Sequence, residues 1–274
     1  MWKQSAWLFL FSFCSATGLP AQQPLISEDF ESGRFDSKVW ELRIAGAVDA
    51  EVEQGEAAHG KYALRVHYPA MTPPGYAFLV TPYLPASVSG HFFGRAYVKI
   101  DPATPENHTV LVFSGEAGWP FSRFEEIGIS RNTFQPSYRE NRSAKGENGD
   151  VRPGDAPPLG KWFLLEWECN NDPTTLTVWV NGKSSRVMEE DRKVEVSSFK
   201  WPRGSETAKG LIATFDEIGF GARVWGQVPH AFDVYYDDIA IGAERLGAVM
   251  YSHPNKTAAR TRANFSAMSY QSLP

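Results

Sequence analysis

The chain has 274 residues, 14% of them aromatic and 22% charged, and its 27 Lys and Arg against 32 Asp and Glu give a net charge of −5. These ordinary globular values exclude a disordered or collagen-like chain, and the acidic balance argues against nucleic-acid binding. No apolar run reaches the roughly 18–20 residues of a membrane-spanning helix, so we expect no membrane partner.

The first 21 residues have the three-part layout of a secretory signal peptide. Lys3 precedes an apolar stretch from Ala6 to Phe13, and small residues follow it as far as Ala21. Segments of this kind direct export and are then removed. We therefore predict a signal peptide over 1–21 and a protein secreted into the extracellular space or the periplasm. The alternative for this stretch is a buried first strand or helix.

From residue 22 to 248 the chain is a series of short segments in which apolar and polar residues alternate. Such alternation between turn residues predicts strands, and Asn181-Gly182 predicts a tight turn. No long helical pattern interrupts the series. The sequence therefore predicts one all-β domain, a two-sheet antiparallel β-sandwich. The predicted strands are 62–68, 91–100, 108–113, 162–169, 176–180, 217–224 and 232–241.

Two segments lack this pattern. Residues 139–160 are rich in Arg, Asn, Gly, Asp and Pro and are predicted to be irregular, and residues 249–274 are predicted to form a flexible tail. Cys169 alternates with Leu165 and Trp167 on the apolar face of its strand. We interpret it as a buried structural thiol, since a nucleophilic cysteine needs a partly exposed, electropositive setting.

Several segments, in order along the chain, resemble those of a known family. They are Ser27–Gly33, Phe35–Trp40, Ala58–Val66, Gly94–Ile100, Asn107–Val110, Tyr138–Arg142, Thr177–Gly182 and Tyr235–Ile241. Together they are similar to the fungal cellulose-induced secreted protein family and the related glucuronan lyases. The resemblance implies a concanavalin-A-like β-jelly roll over residues 22–248.

The same resemblance implies a structural Ca²⁺ site. Its ligands would be Glu31, the backbone carbonyl of His59, and Asp237 or Asp238. Carboxylate and carbonyl oxygens are the ligands that Ca²⁺ prefers in proteins. The alternative is that these acids cap turns or face solvent.

The resemblance further implies a lyase that acts on a uronate-bearing polysaccharide by β-elimination. Such a reaction needs a base, commonly His or Tyr, and a cation that neutralises the substrate carboxylate. We predict His108 and Tyr138 for the proton transfers and Arg95 as the neutralising cation. The predicted substrate contacts are Asn107, Arg131, Arg139, Arg142, Arg223 and Trp225.

One position departs from the family pattern, because Glu126 stands where the family has a cation. Either Arg139 or Arg142 matches the family arginine that follows the tyrosine. The expected partner is an anionic polysaccharide, bound by a monomer. Two alternatives stay open: a carbohydrate-binding module that uses exposed tryptophans, and a glycoside hydrolase that uses a carboxylate pair such as Glu166 and Glu168.

Overall fold

The computed structural model describes residues 23–140, 148–150, 154–184, 187–189, 194–196, 198–200 and 212–249. The predicted signal peptide lies outside these residues, as does all but the first residue of the predicted tail. The described residues form strands, with no helix among them and hence no helix that could span a membrane.

Eighteen strands follow one another along the described chain. They are β1 (Ile26–Glu28), β2 (Glu41–Ala45), β3 (Asp49–Gln54), β4 (Tyr62–Tyr68), β5 (Tyr76–Thr81), β6 (His91–Asp101), β7 (Thr109–Gly115), β8 (Arg123–Ser130), β9 (Thr133–Glu140), β10 (Asn148–Asp150), β11 (Phe163–Asn171), β12 (Thr174–Val180), β13 (Lys183–Ser184), β14 (Val187–Glu189), β15 (Val194–Val196), β16 (Ser198–Lys200), β17 (Glu217–Val224) and β18 (Phe232–Gly242).

Two antiparallel sheets face each other. Sheet 1 has the order β13-β12-β11-β6-β18-β4-β3, with β1 added beside β18 and β16 beside β12. Sheet 2 has the order β10-β9-β8-β7-β17-β5-β2, and β14 and β15 form a separate hairpin. Neighbours such as β7 and β17 are far apart in sequence, which is typical of jelly rolls. The predicted all-β sandwich of the jelly-roll type is confirmed.

All seven predicted strands are present, each within a few residues of the predicted bounds. The other eleven strands of the described chain were not predicted. Among them, β5 was missed because five of its six side chains are buried and its sequence does not alternate. Ala77 and Leu79 face the main core, whereas Phe78 and Val80 belong to a second apolar cluster on the other face of sheet 2. The prediction of an irregular 139–160 was wrong in part, since β9 extends to Glu140 and 148–150 pairs with it.

The core between the sheets is aromatic as well as aliphatic. Trp40, Trp167, Tyr236 and Phe220 are at most 2% exposed within it. Cys169 is fully buried there, which confirms the predicted buried thiol. Burial raises the pKa of this thiol well above its usual value, and the nearby charge of Glu125 raises it further. A thiol held neutral in this way is not a nucleophile.

Candidate functional site

Strand β8 presents different side chains to the two faces of sheet 2. Ile127 and Ile129 pack into the core between the sheets, whereas Phe124 packs into the second cluster. Because side chains alternate along a strand, Glu126 and Gly128 lie on the same face as Phe124. We call this the outer face of sheet 2.

Aromatic side chains cover one half of the outer face. Trp119, from the loop between β7 and β8, stacks on Phe113 with ring centroids 4.5 Å apart. It also meets Tyr76 and Phe78 edge to face, each with a centroid separation of 4.9 Å. The backbone N–H of Trp119 donates to Oε1 of Glu217 at 2.7 Å, which fixes the loop to β17. We call this cluster the aromatic cap.

The other half of the outer face carries a buried carboxylate next to two basic side chains. Glu126 is fully buried, and its Oε2 lies 3.5 Å from Nε2 of His108 and 3.4 Å from Nε of Arg139. A Cβ at position 128 would lie 2.5 Å from Cε1 of His108, so the imidazole lies close against Gly128 and needs a glycine there. His108, Glu126 and Arg139 come from three neighbouring strands or their ends, which the sheet brings together.

Arg223 and Trp225 lie at the end of β17 that is next to His108. The Arg223 guanidinium carbon is 3.7 Å from the ring centroid of Trp225, and the backbone N–H of Trp225 donates to the His108 carbonyl at 3.1 Å. Burial lowers the pKa of Arg223, although the charge of Glu126 acts in the opposite direction. Trp225 remains 43% exposed, so part of its indole is open to solvent.

A pocket of about 360 Å³ adjoins these two side chains. Tyr76 and Trp225 supply aromatic walls, Arg223 supplies a cation, and Gly46 and Gly75 line it with backbone. We call it the Trp225 pocket. Aromatic surfaces beside a guanidinium suit a sugar ring that carries a carboxylate.

Several polar atoms on the outer face are buried without a hydrogen bond. Within the part of the chain that the structure describes, this holds for both ring nitrogens of His108, both carboxylate oxygens of Glu126 and Oγ of Ser137. It also holds for one terminal nitrogen of Arg223. Buried polar groups that lack hydrogen bonds cost free energy, so their concentration makes this face the candidate functional site.

The structure brings together four of the predicted site residues and places a fifth beside them. His108, Arg139, Arg223 and Trp225 lie on the outer face or at its edge. Asn107 is adjacent, and its side-chain amide donates to the Gln227 carbonyl at 3.4 Å. Arg131 is farther away, in the turn between β8 and β9. Arg142 lies outside the described residues.

Tyr138 and Arg95 do not join this group. Tyr138 is 1% exposed and packs in the core between the sheets, because it alternates with Ser137 and Arg139 on β9. Arg95 lies on β6 of sheet 1, where it donates to the Gly247 carbonyl at 3.1 Å. The predicted grouping of His108, Tyr138 and Arg95 in one site is therefore not what the structure shows.

Glu126 and the aromatic cap are the parts of the site that sequence reasoning did not assign. Glu126 was noted only as a departure from the family pattern. The alternation of Phe124, Glu126 and Gly128 on β8 could have placed its carboxylate on one face. Its contacts with His108 and Arg139 depend on strand pairing, which the sequence does not specify.

The carboxylate pair on β11 is engaged in contacts on sheet 1. Both oxygens of Glu166 accept hydrogen bonds from Arg245, at 3.0 and 2.7 Å. Glu168 pairs with Nε2 of His91 at 2.8 Å. Both carboxylates are therefore paired with basic side chains of the protein.

The predicted metal ligands lie around a bulge in β18. Strand β4 pairs with β18 as far as Tyr236, and β1 pairs with it from Ile239. At the bulge, ligand atoms of His59, Asp237 and Asp238 lie within 4.8 Å of one another. The His59 imidazole points into this cluster, with Nδ1 2.5 Å from Oδ2 of Asp238.

Backbone groups hold two of these acids in place. Oδ2 of Asp237 accepts the N–H groups of Ala58 and His59 at 2.9 and 3.0 Å. Burial raises the pKa of Asp237 to about 6, and the charge of Asp238 adds to this effect. Glu31 stands outside the cluster, and its Oε1 accepts the N–H groups of Lys61 and Tyr62.

Two solved structures share this fold. The cellulose-induced protein Cip1 has a TM-score of 0.59 and 18% identity, over 82% of this chain and 100% of that chain. The endo-β-1,4-glucuronan lyase from the fungus Trichoderma reesei has a TM-score of 0.57 and 13% identity, over 81% and 96%. The fold resemblance is thus confirmed. No protein-family model and no curated protein matches the sequence.

Proposed function

We propose that the protein is a polysaccharide lyase that acts on a uronate-bearing polymer at the outer face of sheet 2. The observation that carries the proposal is the concentration of buried polar groups around His108 and Glu126, next to an exposed tryptophan and the Arg223 guanidinium. The fold shared with a glucuronan lyase supports a polysaccharide substrate. The predicted signal peptide fits a polymer that stays outside the cell.

Each group has a role in β-elimination. Trp225 and Tyr76 bind the sugar ring, and Arg223 neutralises the carboxylate, which makes the proton at C5 more acidic. His108 removes that proton, the electron pair forms the C4–C5 double bond, and the bond from C4 to the leaving oxygen breaks. The resulting imidazolium donates its proton to the leaving oxygen. His108 and Glu126 lie 3.5 Å apart without a hydrogen bond, and catalytic hydrogen bonds often tighten only when substrate binds.

One observation favours a second candidate, a non-catalytic carbohydrate-binding protein. Both ring nitrogens of His108 are buried, so proton abstraction requires the groups around the imidazole to open. Trp225 is exposed and needs no such change to bind a sugar.

Ultraviolet absorbance of the unsaturated product distinguishes the two candidates. Incubation with glucuronan, alginate, pectate and xanthan should produce a rise in absorbance with at least one polymer if the protein is a lyase. Binding to a polymer of the panel with no rise on any of them would support the binding protein. Boiled protein is the control for spontaneous elimination.

We also propose that the cluster of His59, Asp237 and Asp238 holds a structural Ca²⁺. Two adjacent carboxylates repel each other, and a divalent cation offsets that repulsion. The two carboxylates are oxygen donors of the kind that Ca²⁺ prefers, whereas the His59 imidazole is a nitrogen donor that suits softer metals, so His59 would contribute its backbone carbonyl as predicted. Glu31 would support the turn at 60–62 through its backbone contacts. Such an ion would tie the turn before β4 to the bulge in β18.

Removing the ion should destabilise the protein. At a calcium concentration about 100 times the Kd, binding contributes about 2.7 kcal/mol, so a chelator should lower Tm by about 5–10 °C. Scanning calorimetry with and without chelator measures the shift, and Asp238→Asn should abolish it. An unchanged Tm, together with no metal in elemental analysis, would contradict the calcium proposal.

A further inference from the structure

A second pocket, of about 570 Å³, lies at the end of the sandwich near His108. Three connections form it: the loop between β6 and β7, the turn between β8 and β9, and the loop between β17 and β18. We call it the Arg131 pocket. Its lining includes Thr104, Glu106, Arg131, Asn132, Pro229 and His230.

Backbone contacts build this pocket in advance of any ligand. Arg131 and Asn132 have φ values of 50° and 58°, as the two central residues of a tight hairpin turn do. The backbone N–H of Arg131 donates to the Glu106 carbonyl at 3.1 Å, which joins two of the connections. In the third connection, the loop between β17 and β18, the Val228 carbonyl accepts the N–H of Met71 at 2.7 Å.

The Arg131 pocket and the Trp225 pocket are connected by one short loop. Trp225 borders one pocket and His230 the other, and the five residue steps between them span at most about 17 Å. Asn107 and His108 contact this loop between the two pockets through Gln227 and Trp225. The two pockets are therefore close enough for one oligosaccharide to contact both.

The lining of the Arg131 pocket mixes donors and acceptors. The side chains of Arg131 and Asn132 carry hydrogen-bond donors, and the Glu106 carboxylate is an acceptor. Thr104 is 5% exposed, and its hydroxyl has no hydrogen-bond partner within the described residues. The Trp225 pocket differs, because its described lining includes the cation Arg223 but no carboxylate. The exposed carboxylate of Glu106 repels a second carboxylate, whereas sugar hydroxyls both donate and accept.

We propose that the Arg131 pocket binds a neutral, hydroxyl-bearing sugar of the same polymer whose uronate occupies the Trp225 pocket. This inference rests on the proposed function and narrows its substrate class. The polymer would be mixed, with neutral sugars near each uronate, and not a uronate homopolymer.

Calorimetric titration with two oligosaccharides of equal length tests the pocket. One contains only glucuronate, and the other alternates glucuronate with a neutral hexose. The wild type should bind the mixed compound about tenfold more tightly. Glu106→Gln should reduce this preference by strengthening binding of the homo-oligomer, and Arg131→Gln should weaken binding of the mixed compound. Glu51→Gln, an exposed carboxylate on β3 of sheet 1, is the matched control and should change neither affinity.

Equal affinity of the wild type for both compounds, or an unchanged preference in Glu106→Gln, would overturn the inference. Failure of the wild type to bind either compound would instead overturn the proposed function. In that case a neutral oligosaccharide tests the pocket by itself. Binding that Arg131→Gln weakens would support the pocket, and no binding would overturn it.

Discussion

His108→Ala is expected to lower turnover in the proposed lyase reaction by a factor of about 10² or more. Without the imidazole the proposed base for the C5 proton is missing, and general-base catalysis contributes rate factors of this size. KM should change less than kcat, because in the proposed complex Trp225 and Tyr76 bind the sugar ring. Initial rates from ultraviolet absorbance measure both quantities.

His67→Ala is the matched control for this variant. His67 also lies beside a carboxylate, with Nδ1 2.8 Å from Oδ1 of Asp233, but it is on β4 of sheet 1. Its replacement should leave turnover near that of the wild type. Comparable rates in His108→Ala and the wild type would remove His108 from the mechanism.

Trp119→Ala is expected to lower the free energy of unfolding by about 3–5 kcal/mol, as large-to-small changes of buried aromatics do. The indole is 5% exposed and contacts Phe113, Tyr76 and Phe78, so its removal leaves a cavity in the aromatic cap. Tyr76 also lines the Trp225 pocket, and we therefore expect weaker polymer binding as well. Denaturant unfolding followed by fluorescence measures the stability change.

Phe121→Ala in the same loop provides the comparison. Phe121 is 75% exposed, and its replacement should change stability by no more than about 0.5 kcal/mol. If Trp119→Ala changed the free energy of unfolding as little as Phe121→Ala, the aromatic cap would not stabilise the fold as a buried cluster does.

The fold could be predicted because alternation identifies strands that are buried on one face. Strands such as β4 and β17 were predicted with the bounds that the structure has. Strand β5 was not predicted, because the aromatic cap also buries its outer face. Its apolar residues therefore do not alternate with polar ones. Nothing local in the sequence indicates that the loop bearing Trp119 folds back over Phe78.

The site could be predicted only in part, because strand pairing brings its residues together from different strands. Arg223 and Trp225 are close in sequence, and the structure places them together. Tyr138 was misplaced because one position along a strand decides whether a side chain faces the core or the outer face. Arg95 was misplaced because the sequence does not show which sheet a strand joins.

Affinity electrophoresis tests the central claim most directly, since it asks whether the outer face of sheet 2 recognises an anionic polysaccharide. A uronate-bearing polymer in the gel should retard the wild type, and Arg223→Ala or Trp225→Ala should abolish most of that retardation. Arg95→Ala, on sheet 1, should remain retarded like the wild type. Equal retardation of all four proteins would contradict the account, because the polymer would then bind elsewhere.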